Sequence, residues 1–207
     1  MKLLQAIRDA SQDREFILTA ALPAQKYCLQ NLDLRMVSSL LDYMNLMAYD
    51  FTGYWTEVAG HHAQLEYDEP LYYPSPHLLA CGSGGVGYVV TNGFSSQKVL
   101  LGVPIYARHF VGAQRPGDTY SATKEAEYCD LPDQWVYDAN VDELYGVASY
   151  VDYRDLGFIS FDVPLTVEVK AQFVRANSLG GLFYWAVTGD KGGELSLVSA
   201  GYEALAS

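Results

Sequence analysis

Tyr49 and Asp50 set a phenol beside a carboxylate, and an indole, Trp55, follows in the same stretch, Leu41-Asp-Tyr-Met-Asn-Leu-Met-Ala-Tyr-Asp-Phe-Thr-Gly-Tyr-Trp55. The stretch reads as a buried strand that delivers the acid and phenol to its C-terminal end, with an aromatic loop after it. Carboxylate, phenol and indole close together serve a sugar cleft: an acceptor for N–H and O–H groups, and flat apolar faces for pyranose rings. Arg108, Trp185 and Asp190 stand in comparable places further along. In parallel α/β sheets the reactive groups gather at the carboxyl ends of the strands.

The elements that would position these groups follow from apolar patterning. Helical spacing of Leu3, Leu4 and Ile7 predicts a first helix over 3–10. The continuous apolar run 16–22, closed by Pro23, predicts a strand buried on both faces. A stripe of Leu32, Met36, Val37, Leu40 and Leu41 predicts a helix with Asp33 near its start, and 44–49 a second strand. Residues 51–76 carry Gly, His, Pro and six aromatics without periodicity, as a long loop on the binding side would. A Gly-containing helix over 78–92 and a third strand over 99–103, continued through Arg108, come next. An irregular, Tyr-rich insertion is expected over 111–158. A helix over 164–178 opens on Pro164, a fourth strand spans 180–185 and a helix over 194–206 closes the chain. Four apolar strands alternating with helices predict a parallel α/β sheet in a single domain over 1–207.

Bulk properties narrow the partners. The 207 residues include 25 acidic and 13 basic side chains, a formal charge of −12 that disfavours nucleic acid and anionic membrane. No run reaches the roughly 18 apolar residues of a membrane span, and the first residues, broken by Gln5, Arg8 and Asp9, do not read as a signal peptide. Compartment stays open. Cys28, Cys81 and Cys129 are odd in number and widely spaced, neither a disulfide framework nor a zinc site. Adjacent His61 and His62 point apart and have no carboxylate or thiol cluster beside them, so no metal is expected there. Gly82-Ser-Gly84-Gly-Val-Gly87 has dinucleotide-loop spacing, but no strand precedes it and no acid stands about 20 residues on. A loosely helical turn is the reading, and no cofactor is implied.

In order, the strand motifs resemble the second half of a family 18 glycoside hydrolase, the chitinase family, in the style of compact fungal members. Met47-Ala-Tyr49-Asp50 is similar to the family's sixth-strand pattern, and Gly53, Trp55 and Gly60-His61-His62 to the loop after it. Gly102-Val-Pro104-Ile-Tyr106-Ala-Arg108 resembles the seventh-strand end, departing at Ala107. Phe161-Asp162-Val-Pro164 keeps three of four residues of the next motif, and Gly180-Gly181, Trp185 and Asp190 match the eighth strand. Leu18-Thr-Ala-Ala-Leu-Pro-Ala24 looks like the fifth. The resemblance implies a partial TIM (β/α)8 barrel, strands five to eight with their helices.

It also implies roles. In the family's substrate-assisted retaining reaction the N-acetyl carbonyl attacks the anomeric carbon while a protein Glu protonates the leaving oxygen. Tyr49 would donate to that carbonyl, and Asp50 would hold sugar hydroxyls. Trp185 would be the floor and Trp55 a wall, Tyr106 and Arg108 would bond ring substituents, and Met47 would pack beneath. Chitin or N-acetylglucosamine oligosaccharides would be the ligands. The family's Asp-Gly-x-Asp-x-Asp-x-Glu, which carries the acid, has no match in the sequence: Asp130-Leu-Pro-Asp133 and Asp152-Tyr-Arg-Asp155 lack the Glu. A truncated gene model, a split gene and a non-catalytic chitin-oligosaccharide binder all fit. A half barrel of four strands would leave two edges unpaired, so self-association through them is expected.

Overall fold

Short apolar runs separated by helical stretches fold here into two sheets that share a buried seam. The computed structural model describes residues 2–11, 15–67, 80–154 and 156–207. The first sheet is parallel, with strand order β1 (Thr19–Pro23), β2 (Tyr43–Met47), β3 (Val99–Pro104) and β9 (Gly181–Trp185). Helix α1 (Lys2–Ala10) precedes it; α2 (Lys26–Leu29) and α3 (Leu34–Leu40) link β1 to β2, and α4 (Gly82–Thr91) lies between β2 and β3. Asp33 caps α3 by accepting the Met36 N–H, and Lys98 donates to the Ser38 and Leu41 carbonyls at its far end. Met44, Leu46, Val99 and Leu101 turn one sheet face into the core against Val37, Val86 and Val89.

The second sheet is antiparallel: β5 (Ala122–Glu127), β4 (Tyr106–Val111), β8 (Gly157–Phe161), β7 (Val147–Asp152) and β6 (Asn140–Asp142), in that order. Helix α5 (Asp133–Tyr137) precedes β6, and α6 (Pro164–Ala176) and α7 (Leu197–Ala206) pack on the first sheet. Val103, Ile105, Tyr128, Ile159, Phe161, Val167 and Leu197 form one apolar cluster that joins the sheets.

Three sequence expectations change. The strand expected over 16–22 begins at Thr19, and none of its residues is fully buried, because β1 pairs on one side alone among the described residues. The third strand does not run on to Arg108: the chain leaves the first sheet at Ile105 and enters the second as β4. The segment 111–158, expected to be irregular, holds β5, β6 and β7. Its strands are short and half solvated, and β5, Ala-Thr-Lys-Glu-Ala-Glu, is a polar edge without an apolar run. Of the helix expected over 78–92, residues 78 and 79 lie outside the described residues, as does 68–76 of the expected loop.

Candidate functional site

The carboxyl ends of β1, β2, β3 and β9 sit together, since Pro23 pairs with Met47 and Pro104 with Trp185. Beyond Met47 the chain turns sharply. Asp50 adopts φ 59, in the left-handed region that Asp tolerates better than most residues. The following loop is held by Phe51 N–H donating to the His62 carbonyl at 3.0 Å and by Tyr120 donating to the Gly53 carbonyl at 3.0 Å. Gly102 leaves room for the Tyr49 ring: a Cβ there would stand 2.7 Å from Tyr49 Cε1.

Asp50 Oδ1 accepts from the Tyr106 hydroxyl at 2.7 Å and from Arg108 Nη2 at 2.5 Å. Tyr106 and Arg108 are two apart on β4 and so share a face. Asp50, Trp55, Tyr106, Arg108 and Trp185 line one hollow of about 530 Å³, together with Glu125, Glu127 and Asp130. Met47 and Tyr49 line a second, of about 300 Å³, with Asp50 and Trp55 as the ridge between the two. Trp185, at the end of β9, is 62% exposed and Trp55 42% exposed, so both present indole surface at the hollow. The peptide joining Trp185 to Ala186 is cis.

Burial, then the charge of Asp50, pushes the Tyr49 phenol up to about 12, so it remains a donor. The same two causes and the hydrogen bond to Asp50 raise Tyr106 further. Burial opposes the Arg108 charge, but Asp50 and Glu125 outweigh it and hold the guanidinium protonated. His62 Nδ1 lies 4.0 Å from Asp50 Oδ1, yet burial, followed by Arg108 and Lys170, holds the imidazole well below its ordinary value. Neutral His62 therefore packs against Asp50 without an ion pair. The ensemble offers several carboxylate acceptors, Asp50 central among them, with phenol and guanidinium groups and two aromatic faces. Such a set has the chemistry to hold a polyhydroxylated ring.

Asp190 belongs elsewhere. Its Oδ1 accepts from Leu197 N–H at 2.9 Å and its Oδ2 from the Ser196 hydroxyl at 2.8 Å, which anchors the start of α7. The Gly82-rich segment begins α4 behind a Cys81 cap. Glu125 and Glu127 were not legible as site residues. Their places follow from β4–β5 register, Arg108 opposite Glu125 and Tyr106 opposite Glu127, which the alternation Glu-Ala-Glu would signal once 122–127 is read as a strand.

The model of the glycosyl hydrolases family 18 matches residues 1–190. Chitinase 1 of Aphanocladium album is 29% identical over 220 residues, covering 99% of this chain and 51% of that protein. The Group IV chitinase of Ostrinia furnacalis superposes with a TM-score of 0.87 at 23% identity, covering 100% of this chain and 62% of that one. Human YKL-39, described as a pseudo-chitinase with retained chitooligosaccharide binding, superposes at 0.83 with 22% identity, covering 100% and 63%. The chain thus spans about half the length of that curated relative. Its parallel sheet is part of a TIM (β/α)8 barrel.

Proposed function

The chain belongs to family 18 of the glycosyl hydrolases, and from that premise we propose that it supplies one half of a cleft for chitin oligosaccharides and binds them without cleaving them alone. The observation that carries this is the convergence of Asp50, Trp55, Tyr106, Arg108 and Trp185 on one hollow. Trp185 would stack under an N-acetylglucosamine ring, with Trp55 as a wall. Tyr49 would donate to the acetamido carbonyl, and Asp50, steadied by Tyr106 and Arg108, would accept from sugar N–H or O–H groups. The hydrogen bond from the acetamido N–H to Asp50 would gain strength as positive charge develops on that group, so this contact would support a transition state as well as a ground state, while Tyr49 would orient the carbonyl. The proton for the leaving oxygen would have to come from an Asp-x-Asp-x-Glu segment outside this sequence.

Calorimetry with tetra-N-acetylchitotetraose, beside a fluorogenic chitobioside assay, tests the proposal on the purified chain. Binding without turnover, weakened about tenfold by Trp185→Ala, is expected. Turnover abolished by Asp50→Ala would show instead that the chain is an enzyme by itself. Absence of any binding would remove the site.

A further inference from the structure

We propose that Glu125 is a positioning residue: it fixes the Arg108 guanidinium against Trp55 and thereby sets where Asp50 meets a ligand. The inference rests on the reading of this hollow as an amino-sugar site, and it extends that site to the second sheet.

Arg108 is 3% exposed and is held at two points. Nη2 donates to Asp50 Oδ1 at 2.5 Å, and Nη1 donates to Glu125 Oε1 at 2.6 Å. Its Nε is buried without a hydrogen bond, so the two carboxylates alone orient the plane among the described residues. That plane lies over the Trp55 ring, Cζ 4.9 Å from its centre. With Glu125 removed, Arg108 would pivot on a single contact, because one charge-assisted bond fixes a point and two fix a plane. The Glu125 side chain is 59% exposed, so water would satisfy Nη1 in its place but would not fix the direction of the guanidinium.

The two anchors come from different layers. Asp50 follows β2 of the parallel sheet, whereas Glu125 stands on β5, the edge of the antiparallel sheet, directly across from Arg108. Arg108 is therefore a clamp between the layers. Tyr106 and Arg108 both engage Oδ1 of Asp50, and no hydrogen bond within the described residues reaches Oδ2. The clamp leaves that second oxygen for a ligand.

The test uses the full 207-residue chain with Glu125→Ala and Glu125→Gln, the second keeping an acceptor for Nη1. Two quantities are read: affinity for tetra-N-acetylchitotetraose, and the Trp55 indole N–H resonance without ligand, identified through Trp55→Phe. Glu125→Ala is expected to weaken binding about tenfold and to shift the Trp55 resonance. Glu125→Gln is expected to restore both nearly to the starting values. A Glu125→Ala chain with unchanged affinity and unchanged Trp55 resonance overturns the proposal, as does failure of Glu125→Gln to restore them. If the unmodified chain binds no tetrasaccharide, the amino-sugar reading fails, and the Trp55 resonance alone decides the role of Glu125.

Discussion

Lys170 Nζ lies 2.6 Å from each carboxylate oxygen of Asp162, and both side chains are 2% exposed. Asp162 follows β8 and Lys170 lies two turns into α6, so the pair ties the antiparallel sheet to the helix that covers the parallel one. Thr166 adds a hydrogen bond to Asp162 at 2.6 Å. A buried pair of this kind is not a large net gain over apolar packing, but breaking it from one side leaves an uncompensated charge.

Lys170→Met should therefore cost about 3–5 kcal/mol of unfolding free energy. The double variant Asp162→Asn, Lys170→Met should recover much of that loss, since no charge is then stranded. Urea denaturation followed by circular dichroism measures both. Equal destabilisation in the single and double variants would show that packing, not the pair, governs this seam.

Asp50→Ala tests the hub of the site. It removes the carboxylate that would accept from the ligand and frees Tyr106 and Arg108, so binding of chitotetraose should fall at least about tenfold, the loss of one hydrogen bond to a charged group at about 1.5–3 kcal/mol. The stability cost should be smaller, about 1 kcal/mol, because the Asp50 side chain is 42% exposed and water can replace it. Retained affinity in the calorimeter would place the ligand elsewhere.

The sequence conveyed the parallel half of this fold more fully than the antiparallel half, for a physical reason. Met44, Leu46, Val99 and Leu101 are buried against helices, so their strands read as apolar runs. In the second sheet β4 and β8 are buried, but Arg108, His109 and Ser160 interrupt their apolar runs, and β5 exposes Glu125 and Glu127, so composition marks these strands less clearly. Asp50, Tyr106 and Trp185 were expected to lie near one another from the motifs that hold them, and the structure gathers them around one hollow. Glu125 was not expected there, since cross-strand register is a property of pairing. Asp190 misled for the opposite reason: its place after a strand fits a rim residue, but the backbone N–H groups of Leu197 and Val198 claim it first.

Stability should fall as the solution is acidified. His109 is 4% exposed, and burial, with Lys124 nearby, lowers it to about 4 against a pull from Asp152 in the other direction. His62 is wholly buried and lies well below 6.5, through burial first, then Arg108, Lys170 and His61. Both are neutral in the fold, while the unfolded chain protonates them near 6.5. The unfolded state thus binds more protons below that value. The stabilisation is complete above about pH 6.5 and is lost progressively towards pH 4, by up to about 1.4 kcal/mol per pH unit for each imidazole. Urea midpoints at pH 7.5, 6 and 5 should decline, and His109→Gln should flatten the decline. A midpoint independent of pH over this range would contradict the assignment.

Edges that are unpaired among the described residues give the last prediction. β1 and β9 bound the parallel sheet, and each carries exposed apolar groups nearby: Ile17 at 70% beside β1, Trp185 at 62% and Val187 at 63% at the end of β9. Free ladder groups flanked by apolar side chains favour pairing with another chain. The charge of −12 opposes such pairing between identical chains, and salt screens it. Self-association should therefore strengthen as ionic strength rises from about 20 mM to 500 mM, where the screening length falls from roughly 20 Å to about 4 Å. Light scattering coupled to size-exclusion chromatography reads the mass directly. A folded, monodisperse monomer across that whole series would mean that side chains near the two edges already protect them.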